Sequence, residues 1–501
     1  MRQFHSSKMI PALALALGVA CTPQAATDPD QSLDAESDTN FEESVSDNGD
    51  DDRSAEGGLN LDAIDFDVPY AFESRFQEGS SVQYTDAIVR QALICEMKFE
   101  AGKVITQSID NDGHVYEPGD VRDILEFYYF FPEEGCDKEF ISAPSNVLQM
   151  TVNELRCGAN LQEAMAGNNP VLAHLDEPGR LLGWDQEGVS TPEDLVRQWI
   201  TEIDEAAVER SITGEGPTRH TYLSVDGVDR HQLLEKFLQA ALTFAPAAAG
   251  HMTMDVPNRG LLSDNTRARS PGEAFSALEA LWDESFGYYG ANRTFGLHHA
   301  MDIKADLGHD ADGDGYLDLT SEFAWGASMM AAKRDVNVPE PVDLLGDGWK
   351  GFLGGRTIIA NASGPDGALT DAELDALEDF ARQALNGWEA AIAASSVRQI
   401  NRSLNQLQIA LAGGDEYTLS EYAKAWGQAK GYALWFQFNP NSLLSVSDFE
   451  RLHSLLGMAP TLPDGDAEAY IEDLIAARTL LGDVYGFPAV NLGDEFGENG
   501  W

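Results

Sequence analysis

Basic residues are scarce in this chain of 501 residues, in which 32 Lys and Arg stand against 84 Asp and Glu and give a formal net charge of −52. A field of this sign repels nucleic-acid phosphates and anionic lipid head groups. We therefore expect no nucleic-acid partner and no polybasic contact with a membrane. An acidic surface of this kind suits the binding of cations, or solubility in a salty medium.

Long hydrophobic runs are also missing, which excludes a transmembrane helix after the N-terminal region. The apolar run at residues 9–20 is too short to span a bilayer, follows a short basic segment and ends directly before Cys21. This order is typical of a bacterial lipoprotein signal, although Gly18 stands where Leu is usual. The sequence predicts a signal peptide over residues 1–20 and lipid attachment at Cys21. Cleavage near Ala26, which would release a soluble secreted form, is the alternative.

Cysteine is rare as well, since only Cys95, Cys136 and Cys157 follow Cys21. No CxxC pair and no zinc-knuckle spacing occurs among them. Cys136 and Cys157 flank a loop-like stretch and are the pair that we expect to form a disulfide bond in an oxidising compartment. The odd count leaves one thiol over, and Cys95, in an apolar run, is expected to be a buried core residue.

The chain divides by composition into an acidic tether and a folded region. Residues 9–52 contain no Lys or Arg and are rich in Asp, Glu and Ser. Such a segment buries too little apolar surface to offset its chain entropy. We predict that residues 21–64 are a lipidated cysteine followed by a disordered tether, and that residues 65–501 form one helical domain.

Helical periodicity dominates the folded region. Thr191, Pro192 and an acidic first turn mark one helix start, with apolar residues recurring every four positions after it. Apolar residues recur with the same period at 84–102, 121–130, 231–245, 271–287, 320–334, 371–412, 420–438, 446–456 and 467–481. Short strands are expected only at 104–109 and 221–225. The predicted fold class is mainly α, a large helical bundle with an inserted aspartate-rich loop.

The inserted loop has the spacing of a calcium site. Asp310, Asp312, Asp314 and Asp318 occupy positions 1, 3, 5 and 9 of a D-x-D-x-D-G-x-x-D pattern, with Gly315 at the sharp turn. Calcium takes six to eight oxygen ligands at about 2.3 to 2.6 Å, and such loops supply them from alternate aspartates and the carbonyl of residue 7. The predicted ligands are Asp310, Asp312, Asp314, Tyr316, Asp318 and Glu322.

The loop departs from an EF-hand at position 12, where Ser321 replaces the bidentate Glu and Glu322 follows one place later. We therefore expect a calcium loop that ties two helices together, and not an EF-hand pair. A solvated acidic turn without a metal is the alternative. The similar segment 366–373 lacks carboxylates in its first half and is expected to be a helix start with an acidic cap.

Three further polar residues form a second, weaker candidate ligand site. His299 and Asp302 are three residues apart and would share a helix face, next to His298. The alternative for all three is a hydrogen-bonded polar turn. Asp283 and Glu284 are expected to pair with Lys333 and Arg334 across the loop.

Three segments of the chain resemble the domain of unknown function 4856 family of exported bacterial lipoproteins. They are Tyr70-Ala-Phe-Glu-Ser-Arg-Phe with the helix after it, Trp282-Asp-Glu-Ser-Phe-Gly-Tyr with the aspartate loop, and Trp426-Gly-Gln-Ala-Lys-Gly-Tyr with Phe438-Asn-Pro-Asn-Ser. The family often has His before the Trp-Asp-Glu motif, where this chain has Ala280-Leu281. The resemblance implies a mostly helical protein of unassigned reaction that accompanies imelysin-like proteins and TonB-dependent receptors.

The function expected from these observations is that of a non-catalytic capture or accessory protein of the cell envelope. We expect a lipid anchor in the outer membrane and calcium as a structural ion. By family association, we also expect a role in the acquisition of iron or other metals. The chain has no nucleophile elbow, HExxH, P-loop or G-x-G-x-x-G motif. A metal-dependent hydrolase or peptidase-like enzyme is the alternative, and it would require a pocket in which carboxylates and imidazoles converge.

Overall fold

The fold of the chain is built from helices. The computed structural model describes residues 60–167, 181–214 and 220–501, so that residues 1–59, with the predicted signal peptide, Cys21 and most of the tether, lie outside it. Within the described residues, β-pairing is limited to isolated bridges. The mainly α fold predicted from the sequence is confirmed.

The α-helices run in chain order as α1 (Thr85–Phe99), α2 (Ile105–Asp112), α3 (Asp120–Phe130), α4 (Val152–Leu155), α5 (Pro192–Thr213), α6 (Arg230–Gln239), α7 (Ala277–Tyr289), α8 (Ala300–Ala305), α9 (Gly326–Asp335), α10 (Leu344–Ala360), α11 (Asp371–Leu411), α12 (Leu419–Ala433), α13 (Val446–Leu456) and α14 (Ala467–Tyr485). π-helical turns occur at Glu100–Val104, Ala240–Phe244 and Ala247–His251. Short 3-10 turns occur at Leu61–Ala63, Glu133–Gly135, Gln162–Ala164, Gly260–Leu262, Phe295–Leu297, Pro365–Gly367, Leu434–Phe438 and Ala489–Leu492. None of the helices in the described part of the chain is long and apolar enough to cross a membrane.

Helix α11 is the central element of the bundle. Its 41 residues make it roughly 60 Å long, and α9, α10, α12 and α14 all pack against it. The apolar core around these helices is continuous and includes five fully buried tryptophans, Trp199, Trp282, Trp388, Trp426 and Trp435. Because each buries a large apolar surface, together they contribute strongly to the stability of the bundle.

Helix α10 approaches α11 closely because glycines line the contact. A Cβ atom on Gly351 would lie 2.4 Å from the backbone nitrogen of Ala384 on α11, a separation that no side chain tolerates. A Cβ on Gly348 would lie 2.5 Å from the hydroxyl oxygen of Tyr289 on α7. The glycines thus lower helix propensity and permit the closest helix packing of the fold.

Several sequence expectations need correction. Residues 104–109 form no strand but lie in the π-turn and helix α2, with Ile105 fully buried. Residues 221–225 contain only an isolated bridge between Leu223 and Asp229. Cys136 and Cys157 form a disulfide bond with a Cα–Cα distance of 5.7 Å. Cys95 is buried as expected, but no free cysteine occurs in the described residues, so the expected leftover thiol is wrong.

Candidate functional site

The aspartate loop lies between α8 and α9 and brings three carboxylates together. One carboxylate oxygen from each of Asp310, Asp312 and Asp314 lies within 4.8 Å of the other two, so this group could hold a metal ion. Gly313 and Gly315 have positive φ values of 77° and 88°, a conformation that glycine adopts without strain. The loop backbone therefore turns around the three carboxylates.

Backbone amides of the loop organise these carboxylates before any ion arrives. Asp310 accepts hydrogen bonds from the backbone N–H groups of Gly313 at 2.7 Å and Gly315 at 2.9 Å. Asp312 accepts from the N–H of Asp314, and Asp314 accepts from the N–H of Tyr316. The hydrogen bond from Gly315 is the main cause that lowers the pKa of Asp310. The charged form of the carboxylate, which a cation requires, is thus favoured.

The other two predicted carboxylates hold the loop together in the structure. Asp318 accepts hydrogen bonds from Gln149, Thr320 and Ser321, which take up both of its oxygens. Glu322 is only 6% exposed, and its two oxygens accept the N–H groups of Ala311 and Asp318. Neither carboxylate belongs to the converging group of three.

Tyr316, whose backbone carbonyl was the remaining predicted ligand, has a side chain that is 53% exposed. Its own N–H group is taken up by Asp314, at 2.8 Å. Asp312 and Asp314 are exposed and Asp310 is half-buried, so the three carboxylates are accessible to solvent and to an entering ion.

The histidine candidates do not form a ligand group. Nε2 of His298 lies 2.9 Å from the hydroxyl oxygen of Thr294, and its ring centroid lies 3.9 Å from that of His309. Burial, followed by the neighbouring His309, lowers the pKa of His298. His299 and Asp302 are exposed, and within the described residues no group of three metal-ligating side chains includes either of them.

A cavity of about 370 Å³ lies between α1, α7 and the π-helical segment that follows α6. This volume is within the range of about 300 to 1,000 Å³ that is usual for small-molecule sites. Its polar lining combines carboxylates, an imidazole, guanidinium groups and hydroxyls, namely Glu163, Glu284, His251, Arg90, Arg259 and Tyr288. A pocket in which carboxylates and an imidazole converge is therefore present in the molecule.

The π-helical segment explains how His251 reaches this cavity. Helix α6 continues through two π-helical turns that flank Pro246 and end at His251. Proline removes a backbone donor and clashes with the preceding turn of a regular α-helix, and a widened turn relieves both problems. π-helical turns also occur often at functional sites.

His251 and Glu284 face each other across the cavity. Nε2 of His251 lies 4.0 Å from Oε2 of Glu284, while Nδ1 of His251 lies 3.3 Å from the hydroxyl oxygen of Ser285. The other oxygen of Glu284, Oε1, accepts hydrogen bonds of 3.0 Å from both Arg90 and Tyr288. The Glu284 side chain is 26% exposed and lines the cavity, so the second oxygen is accessible to a ligand.

Electrostatics favour an ionised Glu284 and a neutral His251. Burial acts to raise the pKa of Glu284, but the attraction of His251 when it is protonated, the charge of Arg90 and the hydrogen bonds from Tyr288 and Arg90 outweigh it, so the pKa is lowered. Burial is the main cause that lowers the pKa of His251. A carboxylate beside a neutral imidazole can ligate a metal ion or accept protons from a bound molecule.

The expected pairing of Asp283 and Glu284 with Lys333 and Arg334 is wrong. Asp283 is fully buried, where it accepts hydrogen bonds from Tyr70 at 2.7 Å and from Arg356 at 2.9 Å. Glu284 points to Arg90 instead, because adjacent helical residues face different directions.

The sequence reasoning missed His251 and Arg90 as site residues. Pro246 within an otherwise helical apolar run, followed by a single histidine, was the available signal for His251. No family model, no curated protein and no solved structure matches this chain. The site must therefore be interpreted from its own geometry.

Proposed function

We propose that the protein is a lipid-anchored, non-catalytic capture protein of the cell envelope that binds a metal ion or its small chelate in the cavity at His251 and Glu284. The observation that carries the proposal is the 4.0 Å separation between Nε2 of His251 and Oε2 of Glu284. One ion at about 2.0 to 2.2 Å from each atom would bridge them once the two side chains approach by roughly half an ångström, because tetrahedral ligands at those distances lie about 3.3 to 3.6 Å apart. The remaining volume of about 370 Å³ would accommodate water or a chelating molecule.

Two protein ligands suit capture and release better than permanent binding. A structural site for a transition metal usually has four protein ligands, whereas here the other coordination positions would stay available to the cargo. The iron or metal acquisition context that the family resemblance implies, with an imelysin-like protein or a TonB-dependent receptor as partner, is consistent with such a site. Calcium in the aspartate loop would serve stability and not capture.

Metal analysis of the purified full-length protein tests this proposal, with iron, copper, zinc and calcium counted together. We expect one equivalent of a transition metal in wild type, lost in His251→Ala and retained in the control His114→Ala, which changes an exposed histidine. Bound calcium should be retained in wild type and in both variants. Wild type that takes up no transition metal, or a His251→Ala protein that takes up as much as wild type, would refute capture at this cavity.

A metal-dependent hydrolase is the second candidate, and the convergence of Glu284 and His251 in one cavity favours it. A metal ion held there with open positions would lower the pKa of a bound water and make it a nucleophile. Arg90 and Tyr288, which already hold one oxygen of Glu284, would then orient the carboxylate. Hydrolysis of ester or peptide reporters by the metal-loaded protein, abolished in Glu284→Gln, would favour this candidate over simple capture.

A further inference from the structure

Basic side chains, scarce in the chain as a whole, gather between helices α1, α6, α9, α11 and α12. We call this group the interior basic cluster: Lys98, Lys236, Lys333, Arg334, Arg398, Arg402 and Lys424. Arg398 and Arg402 are four residues apart on α11 and therefore share a face of that helix. In a chain with only 32 basic residues, so many on facing helices need an explanation.

The charges of the cluster act on one another across the helices. Burial, then the charges of Arg334, Lys236 and Lys98, lower the pKa of Lys333 to about 7. Burial, then Arg398, lower the pKa of Arg334 to about 9. Burial, followed by the charges of Arg402 and Lys98, also lowers the pKa of Lys424. The cluster is therefore a region of concentrated positive potential inside a strongly acidic protein.

Carboxylates form ion pairs with some of the basic side chains of the cluster but not with all of them. Glu235 is fully buried between Lys98, at 2.6 Å from Oε2, and Lys236, at 2.7 Å from Oε1. Arg402 pairs with Glu421 at 3.1 Å. Two further carboxylates lie nearby, but both have other partners. Asp229 contacts the imidazole of His231, and Asp335 accepts hydrogen bonds from the backbone N–H groups of Leu344 and Leu345.

The guanidinium group of Arg334 contains a buried hydrogen-bond donor without an acceptor. Its side chain is nine-tenths buried, and its Nε atom has no hydrogen-bond partner. Among the described residues no carboxylate forms an ion pair with Arg334 or with its neighbour Lys333. A buried donor left without an acceptor destabilises a fold, so Nε of Arg334 offers an unused hydrogen bond to an acceptor that enters from outside.

Three lysines of the cluster are partly exposed to solvent. Lys333 and Lys424 are half-buried, and the side chain of Lys98 retains 13% exposure, whereas Lys236 beside it is closed off at 1%. The partly exposed lysines thus place part of the cluster at the protein surface, while its buried members lie where electrostatic attraction is stronger than in water.

We propose that the interior basic cluster binds a small anion with two or more negative charges, in the form of a phosphate group or a dicarboxylate. Arginine and lysine donors bind both groups through short, charge-assisted hydrogen bonds, and the guanidinium fork matches the geometry of two oxygens. The acidic exterior repels long polyanions such as nucleic acids more strongly than a small anion, which carries fewer charges. The site is separate from the cavity at His251 and does not depend on the function proposed there.

Isothermal titration of the full-length protein with inorganic phosphate, and separately with succinate, tests this inference. Both titrations are made in chloride buffer of constant ionic strength, without added calcium. We expect one binding site for at least one of the two anions and a higher melting temperature in its presence. In Lys333→Gln the affinity should fall by about ten- to a hundredfold, since one charged donor is lost.

Control variants distinguish binding at a specific site from general electrostatic attraction of anions to the protein. Lys350→Gln changes an exposed lysine on α10, 43% accessible and paired with Asp343, and should bind as wild type does. Removing an uncompensated charge should leave Lys333→Gln folded, with an anion-free melting temperature equal to or above that of wild type. If that variant does not fold, Lys424→Gln replaces it with the same expectation.

Each outcome of the two titrations indicates a different ligand. Binding of phosphate alone supports a phosphate ligand, binding of succinate alone supports a dicarboxylate, and binding of both supports the shared site. The inference is overturned if neither anion binds more tightly than chloride, or if Lys333→Gln and Lys424→Gln bind as wild type does. An equal loss of affinity in Lys350→Gln would likewise overturn it.

Discussion

Gln149 holds Asp318 in place at the edge of the aspartate loop. Its Nε2 donates to Oδ1 of Asp318 at 3.0 Å, and its Oε1 accepts the backbone N–H of Leu319 at 2.9 Å. Gln149 lies between the two cysteines that form the disulfide bond. The same segment pairs with Leu317 through two backbone hydrogen bonds. The disulfide-bounded stretch therefore packs against the C-terminal part of the aspartate loop, beside the three converging carboxylates.

Replacing Gln149 by Leu should loosen the loop. Both hydrogen bonds disappear, and the N–H of Leu319 is left without its acceptor, so we expect the protein to lose about 1 to 3 kcal/mol in free energy of unfolding. Urea unfolding measures this change. Gln198→Leu, which removes a hydrogen bond to Glu202 on the surface of α5, is the matched control and should cost less. Equal losses in the two variants would show that Gln149 has no special role.

Calcium should stabilise the protein through Asp310, Asp312 and Asp314. Because the ion would bind the folded loop only, calcium at about a hundred to a thousand times its dissociation constant should add roughly 2 to 4 kcal/mol. Thermal melting with calcium and with chelator measures the gain, and Asp312→Ala should abolish it. Magnesium should substitute poorly, since it demands near-octahedral geometry at about 2.0 to 2.1 Å.

The control for the calcium experiment is Asp464→Ala, which removes an exposed carboxylate far along the chain. It should respond to calcium as wild type does. Equal melting temperatures with calcium and with chelator, in protein shown beforehand to be metal-free, would refute the site. A full calcium response in Asp312→Ala would place the ion elsewhere.

The stability of the protein should rise between pH 7 and about pH 10 because of Lys430. This lysine is fully buried, with Nζ 2.8 Å from Nδ1 of His453, and burial lowers its pKa from 10.5 to about 7. Between these two values the unfolded chain binds a proton that the folded protein has released, so stability increases with pH and is lost as pH falls toward 7. Urea unfolding at successive pH values should show a smaller slope in Lys430→Met. A slope equal to that of wild type would contradict this assignment, and Lys350→Met serves as the exposed control.

Cys21 should anchor the protein to a membrane. The basic start, the short apolar run and the cysteine that follows it predict lipid attachment, so Cys21→Ser should move the protein from the membrane fraction to the soluble fraction. Fractionation followed by immunoblotting measures this. Wild type that is already soluble, with an N-terminus near Ala26 or Thr27, would show ordinary cleavage instead.

The long helices were predictable because their ends carry local signals. Thr191 and Thr370 both form capping boxes in the structure, with Asp194 and Glu373, and the helices begin directly after them. The start of α9 was predicted six residues too early, at residue 320. Those residues complete the aspartate loop, where Asp318 binds the N–H of Thr320, so they are unavailable to a helix.

Helix α10 could not be predicted in the same way. Its sequence contains five glycines, which lower helix propensity, and the helix forms because its packing against α11 and α7 requires residues without a Cβ. The cavity could not be predicted from the sequence either, because Arg90, His251 and Glu284 are far apart in the chain. Only the tertiary packing of α1, the π-helical segment and α7 brings them together.

The link between the disulfide bond and the aspartate loop has a consequence for the biogenesis of the protein. A newly made chain in a reducing, calcium-poor compartment would have neither the covalent closure around Gln149 nor an ion among the three aspartates. This corner would then be held only by its hydrogen bonds and by the packing of buried residues such as Leu317 and Leu319, which would make the chain easier to keep unfolded before export. If the protein is exported, as its N-terminal sequence predicts, and binds calcium, oxidation and the ion would then close the same corner from two sides.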